Sequence, residues 1–213
     1  MVDLFLQGGP FMWPILGVFI VGLMFVIERA ISLTLAGVNT KKFIVKVNQA
    51  LQEGGPDQAM ELCTNTKGPV ASVFTAGLMR LGRGIDQMEK AIMNAGQIEL
   101  AFLEKNLVWI STVIAIAPML GFTGTVAGMI VAFQDIAAAN DISPAIVAGG
   151  ISQALLTTLF GLIVAIIMQL FNNFFIARID GIVSSMQESS VEFVDMLIQY
   201  EDQHGEVNAP KPE

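Results

Sequence analysis

The stretch from Ile142 to Ala177, ISPAIVAGGISQALLTTLFGLIVAIIMQLFNNFFIA, runs for 36 residues without a charged side chain. A second uncharged run covers the 29 residues from Asn106 to Gln134, and a third lies between Leu4 and Ile27. About 20 residues of helix, at 1.5 Å rise each, cross a hydrocarbon core of roughly 30 Å. The sequence therefore predicts an all-α membrane protein with three transmembrane helices.

The composition supports a membrane protein. Hydrophobic residues make up 54% of the chain and charged residues only 14%, and the mean hydropathy is +0.64. The first uncharged run is not a signal peptide, because Asp3 precedes it and Glu28 and Arg29 follow where small residues would be needed for cleavage. The net charge of −8 argues against nucleic acid as a partner. Cys63 is the only cysteine, so we expect a buried thiol in a reducing compartment.

The basic residues predict the orientation. All 11 Lys and Arg lie between Arg29 and Lys105 or from Arg178 onward. By the positive-inside rule these two regions are cytoplasmic, and the N-terminus faces the periplasm. The predicted organisation is a periplasmic N-terminus (1–10), a first span (11–35), a cytoplasmic helical region (36–105), a second span (106–134), a periplasmic loop (135–143), a third span (144–177), a cytoplasmic helix extension (178–203) and a disordered tail (204–213).

Two of the helices are predicted to be very long and to extend into the cytoplasm. Gly54-Gly55-Pro56 should end the first of several small cytoplasmic helices. Asp86 and Glu89 have the spacing of a capping box, and the helix they begin meets no breaker before the second span. Beyond the third span, apolar residues from Ile179 to Leu197 recur at helical spacing. We expect this stripe to pack against a neighbouring subunit.

Two threonines lie at matching depths in the second and third spans. Thr125 is 20 residues past Lys105, and Thr158 is 20 residues before Arg178. If the two helices are antiparallel, their hydroxyls are level and suggest a polar path between the helices. The alternative is that both threonines only pack helices and bond the carbonyls of their own helix.

Small residues accompany both threonines. They fall on one face of each span at three- and four-residue spacing, and such faces let helices approach closely in lipid. The predicted packing residues are Gly121, Gly124 and Gly128 on the second span and Ala154 and Gly161 on the third. Gln153 and Thr157 form an adjacent polar face, and an amide in mid-span needs a partner or water.

These segments resemble a known family. Leu103–Lys105, leading into Ala117–Ile130 (APMLGFTGTVAGMI), is similar to the second-helix signature of the MotA/TolQ/ExbB proton channel family. Gly150–Thr158 (GISQALLTT) is similar to the third-helix signature, and Glu28-Arg29 at the end of the first span is also typical. The three predicted spans match the ExbB/TolQ branch better than MotA-type members, which have four.

The resemblance implies an ion-driven energy converter of the bacterial inner membrane and not an enzyme. Such proteins form pentamers around single-span helices of an ExbD- or TolR-like partner, which supplies a membrane aspartate, and a TonB-like protein is a further expected partner. Thr125, Thr158, Gln153 and Thr157 would line the ion pathway. The uncharged runs carry no ionisable residue, so the three spans alone cannot provide a proton relay. No cofactor is expected beyond the coupling ion.

Several alternatives stay open. Many ExbB and TolQ members have a glutamate where this chain has Gln153, so either protons or sodium ions could be the coupling ion. The work performed could be outer-membrane uptake, envelope maintenance of the TolQ type or motility, and a structural scaffold without an ion path is the alternative of another class. Glu188, Glu192 and Asp195 could ring a cytoplasmic mouth or simply form a solvated helix face.

Overall fold

The computed structural model describes residues 2–37, 40–139 and 144–205. These residues form seven α-helices and no strand, which confirms the prediction of an all-α protein. The helices are α1 (Val2–Gln7), α2 (Met12–Ala36), α3 (Thr40–Asn65), α4 (Pro69–Leu78), α5 (Ile85–Glu104), α6 (Leu107–Ala139) and α7 (Pro144–Gly205). Residues 206–213 of the predicted disordered tail (204–213) and residues 140–143 of the predicted loop (135–143) lie outside the described residues, while α7 includes residues 204 and 205.

Within the described residues, α2, α6 and α7 belong to the three helices that are long and apolar enough to cross a membrane. Pro14 lies in the first turn of α2, where proline is tolerated, and Pro118 lies inside α6 without ending it. Helix α7 has 62 residues, about 93 Å at 1.5 Å per residue, so it continues well past a hydrocarbon core of roughly 30 Å.

One compact unit comprises residues 1–30 and 106–175. Gly22 of α2 lies against Met168 of α7 and Val113 of α6, because a Cβ at Gly22 would be 3.0 Å from the Met168 thioether and 3.2 Å from the Val113 side chain. Val113 and Met168 are both buried. Because Gly22 has no side chain, one side chain from each of the other two long helices can pack against α2 at this position.

A second compact unit comprises residues 31–105 and 176–213. Its core is built on stacked aromatic rings: the ring centroids of Phe43 and Phe74 are 5.7 Å apart, and those of Phe74 and Phe193 are 4.0 Å apart. Leu51 and Met88 complete this core without exposed surface. Elements α3, α4, α5 and the second half of α7 thus share one hydrophobic core.

The apolar stripe of α7 is buried inside its own chain. Met186, Phe193 and Leu197 are at most 4% exposed and belong to the core of the second unit. Ile179 is also buried, and only Val183 is half-buried. The expectation that this stripe needs a neighbouring subunit is therefore wrong, because α3, α4 and α5 provide its partners.

The long second helix is interrupted. Helix α5 ends at Glu104 and α6 begins at Leu107, and between them Asn106 has a left-handed φ of 69°. The Asn106 amide donates a 3.2 Å hydrogen bond to Glu28 Oε2, which stabilises the break. Asn tolerates this conformation better than most residues. Because it is neither Gly nor Pro, it does not stand out in the sequence as a helix breaker. The predicted capping box is also wrong, because α5 begins at Ile85 and no side chain caps it.

Gly55 bends α3, with φ 74° and ψ −172°. The predicted helix end at Gly54-Gly55-Pro56 is therefore confirmed as a kink, which only glycine accommodates easily because its φ is positive. Cys63, in the second arm of α3, is 2% exposed. Burial raises the pKa of its thiol to about 11, as expected for an unreactive buried cysteine.

Candidate functional site

Helices α6 and α7 come into backbone contact at their glycines. A Cβ on Gly161 would lie 2.6 Å from the Ala117 carbonyl oxygen, and one on Gly121 would lie 2.9 Å from the Thr157 carbonyl oxygen. Real Cβ atoms essentially never show such short contacts, so these two positions depend on glycine. The predicted close approach of the two spans is present in the structure.

The contact continues along both helices in antiparallel order. A Cβ on Gly124 would be 2.7 Å from the Thr157 side chain, and one on Gly128 would be 3.4 Å from the Ala154 Cβ. Gly150 lies against Ala132 in the same way, one turn further on. The predicted small residues of the two spans therefore face each other.

The three hydroxyls at this contact have different partners. Thr158 Oγ1 donates across the interface to the Gly121 carbonyl, with a donor–acceptor distance of 3.3 Å. Thr157, which is 1% exposed, donates to the Ala154 carbonyl of its own helix at 2.7 Å. Thr125, which is half-buried, donates to the Phe122 carbonyl of its own helix at 2.5 Å. Each hydroxyl oxygen still has lone pairs that can accept a further hydrogen bond.

Thr125 and Thr158 are not level within one chain. Thr158 lies opposite Gly121, and Thr125 is four residues further along α6, or about 6 Å at 1.5 Å per residue. Counting inward from Lys105 and Arg178 assumed that these two residues are level with each other, and the observed pairing of Thr158 with Gly121 does not agree with that register.

Gln153 contacts the segment that precedes the first long helix. Its amide nitrogen lies where a Cβ on Gly9 would be, and Gly9 has a positive φ of 74°. The side chain is half-buried, four residues before Thr157 on α7. The amide is thus held next to a backbone turn of its own chain.

Asn172 is a polar residue that the sequence analysis did not single out. It is 7% exposed, and its side-chain oxygen has no hydrogen-bond partner among the described residues. The neighbouring Asn173 accepts a 2.8 Å hydrogen bond from Gln169. The sequence feature that points to Asn172 is the presence of three side-chain amides, Gln169, Asn172 and Asn173, within five residues of an uncharged run.

Glu188, Glu192 and Asp195 are exposed at three- and four-residue spacing on α7. This arrangement puts the three carboxylates along one side of the helix. Asp195 also lines a cavity of about 340 Å³ with Glu89 of α5. The geometry is compatible both with a charged mouth and with a solvated face. No group of three or more His, Cys, Asp or Glu suited to a metal ion occurs in the part of the chain that the structure describes.

Comparison with known proteins identifies the family. Residues 65–188 match the model of the MotA/TolQ/ExbB proton channel family. The chain belongs to this family. The matched segment begins at the end of α3 and includes the whole α6–α7 contact described above.

Relatives support the ExbB/TolQ branch of the family. A biopolymer transport protein ExbB homolog of Methanothermobacter thermautotrophicus is 29% identical over 87% of this chain and 66% of its own length. An ExbB-like 3 protein of Synechocystis sp. is 30% identical over 80% of this chain and 82% of its own length. TolQ of the Tol-Pal system of Pseudomonas aeruginosa is 30% identical over 60% of each chain. The chain thus spans just under two thirds of the first relative and more of the second.

The fold resembles that of a solved motor complex. The structure of C. jejuni MotAB superposes with a TM-score of 0.56 over 92% of this chain and 82% of the other, at 15% sequence identity. At this identity the similarity concerns the fold. Three apolar helices of spanning length agree with this family, whose members are multi-pass membrane proteins.

Proposed function

We propose that this chain is the channel-forming stator subunit of an ExbB-like motor in the bacterial inner membrane. It couples ion flow to mechanical work performed by an ExbD- or TolR-like partner on the cell envelope, with outer-membrane uptake through a TonB-like protein as the first candidate process. One observation carries the proposal: two spans meet at glycines and present hydroxyls, yet their uncharged runs contain no ionisable side chain.

The missing carboxylate implies the single-span partner. Protons cross a low-dielectric region through groups that bind and release them, and charged side chains in membrane spans usually mark such pathways. Within the family match, the carboxylate would come from a membrane aspartate of the partner. The hydroxyls of Thr125 and Thr158 would then line the route to it, because a hydroxyl can donate and accept without holding a charge in the membrane.

Thr157 and Gln153 have supporting roles in this proposal. The Thr157 side chain fills the space that Gly124 leaves open, so it keeps α6 and α7 at the distance the pathway needs. Gln153, next to Gly9, supplies an amide on the same side of α7 as Thr157, towards the predicted periplasmic end of the third span. Gln153 cannot take up a proton, so sodium coupling is kept as an alternative to proton coupling.

The proposal includes a homopentamer with α2 outermost towards lipid. Leu155 and Leu159 on α7 are half or more exposed, as are Phe122 and Val131 on α6. A single chain leaves these apolar faces of its two longest spans uncovered, and a ring of subunits would cover them and enclose a channel. The positive-inside rule gives a periplasmic N-terminus and a cytoplasmic C-terminus.

One other function has specific support, because the TolQ relative favours envelope maintenance. A motility motor on the same fold is a further alternative. Both retain the same ion-driven mechanism and differ in the process that is powered. A membrane scaffold without an ion path is the alternative of a different class.

Reconstitution with the partner tests the proposal. The chain and an ExbD- or TolR-like protein are placed together in liposomes, and ion flux is measured under a proton gradient and under a sodium gradient. We expect flux with one of the two ions that disappears when the partner's membrane aspartate is changed to asparagine. No flux above that of empty liposomes with either ion would favour the scaffold, and equal flux with and without the partner would contradict the role given to the partner's aspartate.

A further inference from the structure

A cavity of about 330 Å³ lies within the second unit, at the end of the first long helix. It is bounded by the end of α2, the start of α3, Val70 of α4 and one side of α7. Its volume is at the lower end of the roughly 300–1,000 Å³ that small-molecule sites enclose. The described lining residues are Ala36, Gly37, Thr40, Val70, Arg178, Gly181, Ile182 and Ser185.

The chemistry of this lining is suited to an anion. Arg178 is its one charged side chain and Thr40 and Ser185 contribute hydroxyls, while none of the described lining residues is acidic. This is unusual in a chain with 19 acidic and 11 basic residues. A guanidinium offers several N–H donors in a planar fork that matches phosphate oxygens, and hydroxyls add further donors.

Arg178 is available for a ligand. Its Nη2 atom lies 3.1 Å from the position that a Cβ on Gly37 would take, so the guanidinium lies directly over the Gly37 backbone. Within the described residues no carboxylate forms an ion pair with it. One turn after Arg178 on the same helix, a Cβ on Gly181 would have no neighbour within 4 Å, which leaves open space in front of α7.

The position along the chain indicates where such an anion would come from. Arg178 is the first charged residue after the 36 uncharged residues that end at Ala177. A cation at that point of a transmembrane helix lies near the headgroups of the adjoining leaflet. The cytoplasmic leaflet carries anionic lipids that attract basic side chains next to the membrane.

We propose that this cavity binds the phosphate of an anionic phospholipid headgroup, held by Arg178 with the Ser185 hydroxyl on the same helix. The site is separate from the α6–α7 contact, and it rests on the proposed orientation, in which Arg178 lies at the cytoplasmic leaflet. Its chemistry would also accept a soluble phosphate, and the two sources are distinguished by experiment.

Lipid retention by the full-length protein tests the proposal. The protein is purified with its partner and incorporated into nanodiscs with equal amounts of phosphatidylglycerol and phosphatidylcholine, and the lipids retained after release are counted by native mass spectrometry. We expect about fivefold enrichment of phosphatidylglycerol, because one basic residue near an anionic headgroup contributes an attraction that corresponds to about this ratio. Arg178→Gln should abolish the enrichment, and so should Gly181→Leu, which fills the cavity with an apolar side chain and leaves the charge in place.

Lys105→Gln is the matched control, since it removes one exposed basic charge beside the second uncharged run, outside the cavity. It should retain the enrichment. Absence of enrichment in the unmodified protein, or an equal loss in Lys105→Gln, would overturn the proposal in favour of diffuse attraction to the surface. Displacement of the lipid by millimolar glycerol 3-phosphate would show a soluble phosphate as the ligand and overturn the lipid assignment.

Discussion

Gly161 is a glycine of α7 whose backbone packs directly against the backbone of α6. A methyl group there would lie 2.6 Å from the Ala117 carbonyl oxygen, and a backbone atom cannot move away as a flexible side chain could. We predict that Gly161→Ala destabilises the protein by about 1 to 3 kcal/mol, the usual cost of overpacking. The measurement is the midpoint of thermal unfolding in detergent.

Gly17→Ala is the control for this substitution. Gly17 also lies in a long apolar helix, but a Cβ there would have no neighbour within 4 Å. Because alanine is the better helix former, this variant should unfold at the same temperature as the unmodified protein or slightly higher. Equal midpoints for Gly161→Ala and Gly17→Ala would contradict the close approach.

At the level of elements, the break between α5 and α6 depends on Asn106. Its left-handed backbone is costly for alanine and easy for glycine, and its side chain bonds Glu28. We predict that Asn106→Gly loses only the hydrogen bond, about 1 kcal/mol. Asn106→Ala should lose that bond and add backbone strain, so it should unfold at a clearly lower temperature. If both variants unfold at the same temperature, the break does not need a left-handed residue.

The acidic side of α7 gives a second prediction for an element. If Glu188, Glu192 and Asp195 ring the mouth of the channel, changing all three to amides should reduce cation flux at low salt, and high salt should remove the difference because it screens exposed charges. The control neutralises three exposed acids of α3, namely Glu53, Asp57 and Glu61. Unchanged flux in the α7 variant would support an ordinary solvated face.

The whole molecule is expected to be an oligomer of identical chains. The apolar stripe of α7 is buried within one chain, so the surfaces left for neighbours are those of α6 and α7 in the membrane. Native mass spectrometry in mild detergent should give five copies of the chain with its partner. A monomer under these conditions, or an oligomer that survives when α6 and α7 are made polar on their exposed faces, would contradict this arrangement.

The sequence predicts what depends on composition and short-range spacing. Long uncharged runs, facing glycines such as Gly121 and the kink at Gly55 follow from periodicity and from the conformational freedom of glycine. Features that depend on tertiary contacts could not be predicted from the sequence. At the break between α5 and α6 the Asn106 amide donates a hydrogen bond to Glu28, and Thr158 pairs with Gly121 across the α6–α7 contact. Neither partner can be identified from spacing along the chain.

In the proposed mechanism the hydroxyls of Thr125 and Thr158 line the ion path, so their removal should stop ion-coupled work. Thr125→Val and Thr158→Val keep the side-chain shape and remove only the hydroxyl. Thr123→Val is the control, because Thr123 is exposed on the same helix and bonds the Met119 carbonyl at 2.8 Å. The measurement is ion-coupled work with the partner present, at matched levels of oligomer. We expect near-complete loss of ion-coupled work in Thr125→Val and Thr158→Val and full work in Thr123→Val. Full work in all three variants would contradict the ion path and show that both threonines serve only to pack the helices.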